Sequence, residues 1–413
     1  MNTYIIAVLI AVPIFTLLIS IEWIVSIKRG IIINHSADLI SSLSSGLTNI
    51  LKDGLKISFA IISYSWLVER IVIFQIESLV LTIIIAFIVQ DFAGYWLHRL
   101  NHRVNILWNR HIIHHSSEEY NLSCALRQSI SGFISFGAFF MIPAALFGVP
   151  VWLFAVLGPV HLFLQFWYHT CLINRMGILE NILVTPSHHR VHHAINPEYL
   201  DKNFSQIFIV WDKLFGTFQP ELNEVKPVYG ILRQADTWNP ILINFKHFFS
   251  LLTDAWHTSN LLDKFKIWFM KTGWRPEDVI QSNPIMTINN PKDLIKYKTN
   301  NSSTVIYWSY FQLIISFAMI VHLFSVETVF ESYLVYLYAI FIMANVFSYT
   351  SLLDQKKIII ISEIIKLSLI GIILWKLNWS WFGLSSQYSM LFIGFTVVSL
   401  LINFILLKKS IKL

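Results

Sequence analysis

The 413 residues are 55% hydrophobic and only 13% charged, against about 25% charged in an ordinary soluble domain, which excludes a water-soluble globule and points to a bilayer. The formal charge of +6 does not signal nucleic acid, because the lysines and arginines flank apolar runs instead of interleaving with aromatic residues. The two cysteines, Cys124 and Cys171, exclude a disulfide scaffold and a cysteine-ligated iron–sulfur cluster within this chain, so any redox metal must use other ligands.

A bilayer core about 30 Å thick offers the backbone no water, so each apolar run of about 20 residues is expected to cross it as a helix. The first run, Ile5–Ile27, lacks the basic lead-in and cleavage pattern of a signal peptide and reads as a retained span. A weak second segment, Ile57–Val68, is bracketed by Lys52, Asp53, Lys56, Glu69 and Arg70, and Leu79–Leu97 follows it. Ile130–Phe147 and Val149–Tyr168 form a pair punctuated by Pro143, Gly148 and Pro150, read as a full or partly re-entrant hairpin. After the polar stretch Thr170–Asn301 come Val305–Ser325, Val329–Tyr349, Ile358–Trp375 and Tyr388–Leu407.

These runs predict an all-α, polytopic integral membrane protein with about nine hydrophobic spans. With the N-terminus outside and the weak segment crossing outward, every basic cluster falls on the cytosolic side: Lys28 and Arg29; Arg99, Arg103 and Arg110; Lys356 and Lys357; Lys408, Lys409 and Lys412. Thr170–Asn301 then becomes a histidine-rich cytosolic cap. The chain divides into a catalytic unit, residues 1–300, and a hydrophobic tail of four spans, residues 301–413.

Fifteen histidines are present, and they cluster. His98 and His102 share one helical face at the cytosolic end of the third span. His111, His114 and His115 follow as H-I-I-H-H, and His189, His192 and His193 repeat the pattern downstream. Eight imidazoles in three boxes exceed the needs of one four-coordinate metal and suit two ions. His169 is expected at the same depth as a ninth ligand, whereas His161 lies about 12 Å deeper. His188 reads as a neighbour, and His35, His247, His257 and His322 as surface or interface residues.

Zinc would limit such a site to hydrolysis or deamination, and a metal transport path would sit near the bilayer midplane. Iron suits the imidazoles and supplies O2 chemistry. Asp91, seven residues before His98 on the same face, is a candidate for orienting a ligand or handling protons. Tyr95 and Asn121 join it as candidate catalytic groups. Arg127 and Arg190 are read as partners for anionic headgroups or carboxylates.

The stretches H-R-L-N-H-R-V-N (His98–Asn105), H-H-S-S-E-E-Y-N-L-S-C-A-L-R-Q-S (His114–Ser129), T-P-S-H-H-R-V-H-H (Thr185–His193), D-K-N-F (Asp201–Phe204) and W-D-K-L-F-G-T-F (Trp211–Phe218) resemble the sterol desaturase and fatty acid hydroxylase superfamily. Within it they look most like alkylglycerol monooxygenases, densely over Phe87–Pro220. The resemblance implies a di-iron centre on the eight box histidines, joined by His169. It also implies an O2-dependent membrane lipid monooxygenase that oxidises the carbon beside an ether oxygen, with tetrahydrobiopterin as reductant. Sterol or fatty acyl hydroxylation or desaturation is the alternative within the superfamily. Outside it, the alternatives are a non-redox zinc-binding membrane protein or a metal transporter.

Arg103 stands where the animal members carry an acidic residue. No dinucleotide fingerprint or haem-attachment motif is present, so electrons must come from a pterin or a small electron-transfer protein. No residue is assigned to the pterin. The partners expected are a membrane lipid, O2 and that reductant, in a bacterial inner membrane or the endoplasmic reticulum.

Overall fold

A computed structural model describes residues 3–411. In chain order the elements are α1 (Thr3–Lys28), α2 (Ser36–Gly54), β1 (Phe59–Ala60), α3 (Tyr64–Ile71), α4 (Leu79–Arg103), α5 (Asn105–Trp108), α6 (Ile112–His115), β2 (Ile134–Ser135), α7 (Ile142–Leu146) and α8 (Val151–Phe166). They continue with α9 (Pro186–His192), α10 (Val210–Leu214), α11 (Pro240–His257), α12 (Leu261–Phe269), α13 (Glu277–Ser282), α14 (Ser303–Val326), α15 (Ser332–Leu353), α16 (Ile359–Lys376) and α17 (Ser386–Ile411). The fold is helical throughout, and its strands are the two-residue parallel pair β1 and β2.

Among the described residues five helices are long and apolar enough to cross a bilayer: α1, α4, α14, α15 and α17. The expectation of about nine is not matched by these helices, and each difference has a local cause. The weak segment becomes β1 and the eight-residue α3, which rises about 12 Å and cannot cross about 30 Å. The first half of the expected hairpin is broken into β2, a 3-10 turn and α7, while the second is the 16-residue α8. Helix α16 has 18 residues but carries Glu363, Lys366 and Lys376.

The element that leaves the histidine side in the first part of the chain is α2. Near its start, Asp38 meets Ser117 and Arg127 beside the second box. At its end, a Cβ on Gly54 would collide with the Phe324 ring of α14. Its inner face is Ser41, Ser42, Ser44, Ser45 and Thr48, all buried. Small hydroxyl side chains let helices approach closely, and Ser44 Oγ lies 2.7 Å from Tyr349 Oη of α15. Helices α2, α14, α15, α16 and α17 thus share one core, with Trp381, Phe341 and Phe392 packed at its centre.

That core also encloses an ion pair. Lys366 Nζ lies 3.0 Å from Glu363 Oε1, which also accepts from Asn403 Nδ2 at 2.7 Å and from the Ser348 hydroxyl. Gln312, Asn345, Ser316 and Ser399 extend the network across α14, α15 and α17.

The cap helices begin at side-chain caps. Asn239 accepts from the Ile241 and Leu242 amides at the head of α11, where Pro240 occupies the first turn, and Asn260 accepts from the Leu262 amide at α12. Such caps satisfy amides that the helix itself leaves free.

Candidate metal centre

Helix α4 delivers His98 and His102 one turn apart near its end. Two short helices then reverse the chain so that His111, His114 and His115 return beneath them. His169 follows the end of α8, and α9 presents His189 and His192 with His193 at its C-terminus. The nine converge into two groups whose ring nitrogens lie within 4.8 Å of one another: His98, His102, His111, His115 and His192 in one; His114, His169, His189 and His193 in the other. All are buried except His111, which is partly exposed.

Several nitrogens are spaced as ligands of a common ion would be. The Nε2 atoms of His98 and His111 are 2.9 Å apart, those of His169 and His189 2.9 Å, and those of His189 and His193 3.1 Å. Two ligands at right angles on bonds of about 2.1 Å would be about 3 Å apart. The Nε2 atoms of His102, His115 and His192 are buried with no hydrogen-bond partner, which is costly unless a metal takes their lone pairs.

The opposite ring nitrogens fix the tautomers. His98 Nδ1 lies 2.7 Å from the Phe204 carbonyl, His192 Nδ1 2.9 Å from Lys202 O, His169 Nδ1 2.9 Å from Gln165 O, and His114 Nδ1 3.3 Å from Arg127 O. A carbonyl only accepts, so each Nδ1 carries the proton and each Nε2 lone pair faces the group.

Those carbonyls are themselves held. Asp201 and Asn203 adopt φ of 58° and 54°, a left-handed conformation that Asp and Asn tolerate, and this turns the 202 and 204 carbonyls toward the imidazoles. Asp212 accepts from the Phe204 and Ser205 amides at 2.8 Å each. Arg127, buried against Asp38 at 2.6 Å, braces the segment whose carbonyl meets His114.

Burial holds the imidazoles neutral. His111, His114, His115, His189, His192 and His193 are pushed well below the usual 6.5, first by desolvation and then by the neighbouring rings. Desolvation takes His169 down to about 3, against hydrogen bonds from its own helix end. Neutral imidazole is the form that binds metal.

The three candidate catalytic groups lie outside both histidine groups. Asp91 accepts from His161 Nε2 at 3.0 Å, the Ile207 and Phe208 amides and Trp211 Nε1, which fastens α4 to α8 and α10. Tyr95 Oη is 2.9 Å from Thr217 Oγ1 and accepts from Arg99. Asn121 caps the turn at Leu122 and donates to Ile33 O.

His161 is occupied by Asp91 and Gln165, and His188 accepts from the Thr185 amide. Arg127 and Arg190 are not free for headgroups: the first pairs with Asp38 and the second with Glu221 at 2.7 Å. What the sequence did not single out is the aromatic walls formed by Trp108 against His102 and His115 and by Tyr168 against His189; Tyr120, which the sequence offers as an acceptor or positioning group, packs against His193.

Residues 83–217, which contain all nine histidines, match the sequence model of the family described as fatty acid hydroxylase. Over 268 residues the chain is 42% identical to alkylglycerol monooxygenase of Homo sapiens, covering 64% of this chain and 59% of that protein. The Xenopus tropicalis alkylglycerol monooxygenase is 41% identical over 58% of this chain and 53% of its own length. An ornithine lipid hydroxylase of Rhizobium tropici is 30% identical over 33% and 41%. The chain thus spans somewhat over half the length of the alkylglycerol monooxygenases of these two vertebrates. No solved structure matches it.

Proposed function

We propose that this chain is a membrane lipid monooxygenase that holds two iron ions, one in the five-histidine group and one in the four-histidine group, and oxidises a lipid C–H bond with O2. The observation that carries the reading is the division of nine neutral imidazoles, eight of them buried, into two adjacent groups with inward-facing nitrogens. A pair of irons there would supply the O2 chemistry that no protein side chain can.

The chain's own residues do the rest. The 202, 204, 165 and 127 carbonyls hold the ring orientations, and Trp108, Tyr120 and Tyr168 keep water from the rings. His111, the least buried ligand, marks the side from which a substrate enters. An ether lipid is the substrate favoured, from the similarity to proteins named alkylglycerol monooxygenase. The carbon attacked lies beside the ether oxygen, near the polar end of the lipid, because the histidines sit at the ends of α4 and α8 and not at mid-helix.

Two electrons and two protons per O2 must come from an external reductant, a pterin such as tetrahydrobiopterin or a small electron-transfer protein. The cytosol is the side assigned to the histidines, because basic residues gather there: Arg29 bonds Leu172 O, Arg103 pairs with Asp201, and Lys356 bonds Asp236 O. The four-helix tail from residue 301 acts as the membrane anchor of the unit before it.

Purified protein supplied with an isotope-labelled alkylglycerol, 18O2 and a reduced pterin tests the proposal. One labelled oxygen should enter the product at the carbon beside the ether. Oxygen found only at the chain terminus, or turnover indifferent to O2, would overturn it.

A further inference from the structure

Helix α11 has two faces. Its inner face holds the second histidine box: His247 Nε2 lies 2.8 Å from Asn105 O, and the Phe248 amide donates to Asn109 Oδ1. Its outer face presents Leu242, Phe245, Phe249, Leu252 and Trp256 at alternating spacings of three and four residues, which places them in one stripe along the helix. The stripe ends exposed, with Trp256 83% accessible, and α12 continues it through Phe265 at 73% and Phe269 at 76%. An exposed apolar stripe outside the candidate spans marks an interaction site.

Two observations identify the occupant. The stripe starts in a groove of about 450 Å³ lined by Leu242, Phe245, Lys246, Phe249 and Lys356. Lys356 belongs to the connection between α15 and α16, so the groove opens at the end of the hydrophobic bundle, where a bilayer's headgroups lie. The charges agree. Between Pro240 and Arg275 stand Lys246, Lys264, Lys266, Lys271 and Arg275 against Asp254 and Asp263; Arg275 pairs with Asp254, Lys266 with Asp263 and Lys246 with Asp236, while Lys264 and Lys271 add positive charge beside the stripe. An apolar stripe flanked by lysines is the pattern of a helix that lies in the plane of an anionic membrane surface.

We propose that α11 and α12 form an in-plane membrane-binding hairpin whose apolar stripe enters the headgroup–acyl boundary of an anionic bilayer. The hairpin also carries the site. Asn105, in the turn between His102 and His111, donates to Ile267 O and Trp274 O and accepts from the Gly273 amide. The second histidine box therefore rests about one helix diameter, some 10 Å, from the lipid surface. A lipid drawn up by its polar end would have only that distance to travel.

The test uses the full chain in nanodiscs of phosphatidylcholine with or without phosphatidylglycerol, and no substrate, so it stands apart from the proposed reaction. An environment-sensitive dye is attached to single cysteines introduced as Leu252→Cys, Trp256→Cys or Phe265→Cys, with Gln281→Cys on α13 as the control, in a Cys124→Ser, Cys171→Ser background. The three hairpin dyes should be shielded from aqueous iodide and quenched by a nitroxide near the lipid headgroup at least about twofold more than the control, more strongly with the anionic lipid. Dyes that iodide reaches and the lipid nitroxide does not would overturn the proposal. Dyes shielded from both would also overturn it, by showing that protein, such as a second copy of the chain, covers the face.

Discussion

The histidine site and the C-terminal bundle both bury ionisable side chains, yet they use them in opposite ways. In the bundle the groups are spent mostly on one another: Glu363 Oε1 takes up Lys366, Asn403 and Ser348, and only Oε2 of that carboxylate is left without a partner. In the site, the Nε2 atoms of His102, His115 and His192 face inward with no protein partner, while other nitrogens are tied to carbonyls behind. Buried polarity that closes on itself specifies how helices pack; buried polarity left open specifies a ligand. The difference is in the convergence of the open atoms, since the site turns the unpartnered Nε2 atoms of His102, His115 and His192 toward one spot, and not in how polar the region is.

The sharpest way to break this contrast is to remove an open group. His102→Ala should lose metal and bring turnover below detection while leaving the thermal stability of the metal-free protein almost unchanged, as metal analysis, activity and melting would record. Removing a closed group should do the reverse. Lys366→Met strands Glu363 in the core and should cost about 3–5 kcal/mol of stability, with metal content per folded chain unchanged. The double variant Lys366→Met, Glu363→Leu should recover most of that loss in denaturant melts. If Lys366→Met instead lost metal with stability intact, the bundle would be part of the site.

An intermediate effect is expected where structure supports chemistry. Asp212→Asn loosens the turn that aims the 202 and 204 carbonyls at His192 and His98 and should weaken metal binding about 10- to 100-fold, measurable by chelator competition. Acidity probes the same groups together. Folding lowers the pKa of His111, His114, His115, His189, His192 and His193, so the native state binds fewer protons than the unfolded chain below about 6.5. The metal-free protein should keep its full stability above that pH and lose it as pH falls toward the depressed native values, each group contributing up to about 1.4 kcal/mol per pH unit. A flat stability profile between pH 7 and 5 would show the rings to be solvated. The smallest effect is reserved for His257→Ala, whose ring is exposed and bonded only to Thr253 O; metal and turnover should match the parent.

The clustering of the histidines was legible in the sequence because helical spacing turns residue number into direction: His98 and His102 had to share a face, and so did His189, His192 and His193. His169 was legible from depth alone. The carbonyls that orient the rings were not, since every residue carries one and only the left-handed turn at Asp201 and Asn203 aims them. Fewer long helices form than the apolar runs suggest because an apolar run reports hydrophobicity and not continuity, and the breaks around Pro143 and Gly148 shorten what the composition permits. Helix α2 escaped notice for the opposite reason: its serines look solvent-facing until the neighbouring helices close over them.

Nine histidines that hold two metal ions would give five ligands to one and four to the other. Metal analysis of the protein purified after iron-replete expression, combined with iron X-ray absorption, tests that division most directly. Two irons per chain, coordinated mainly by imidazole nitrogen, are expected. A single ion per chain, or zinc alone in a preparation that still oxidises lipid, would contradict it.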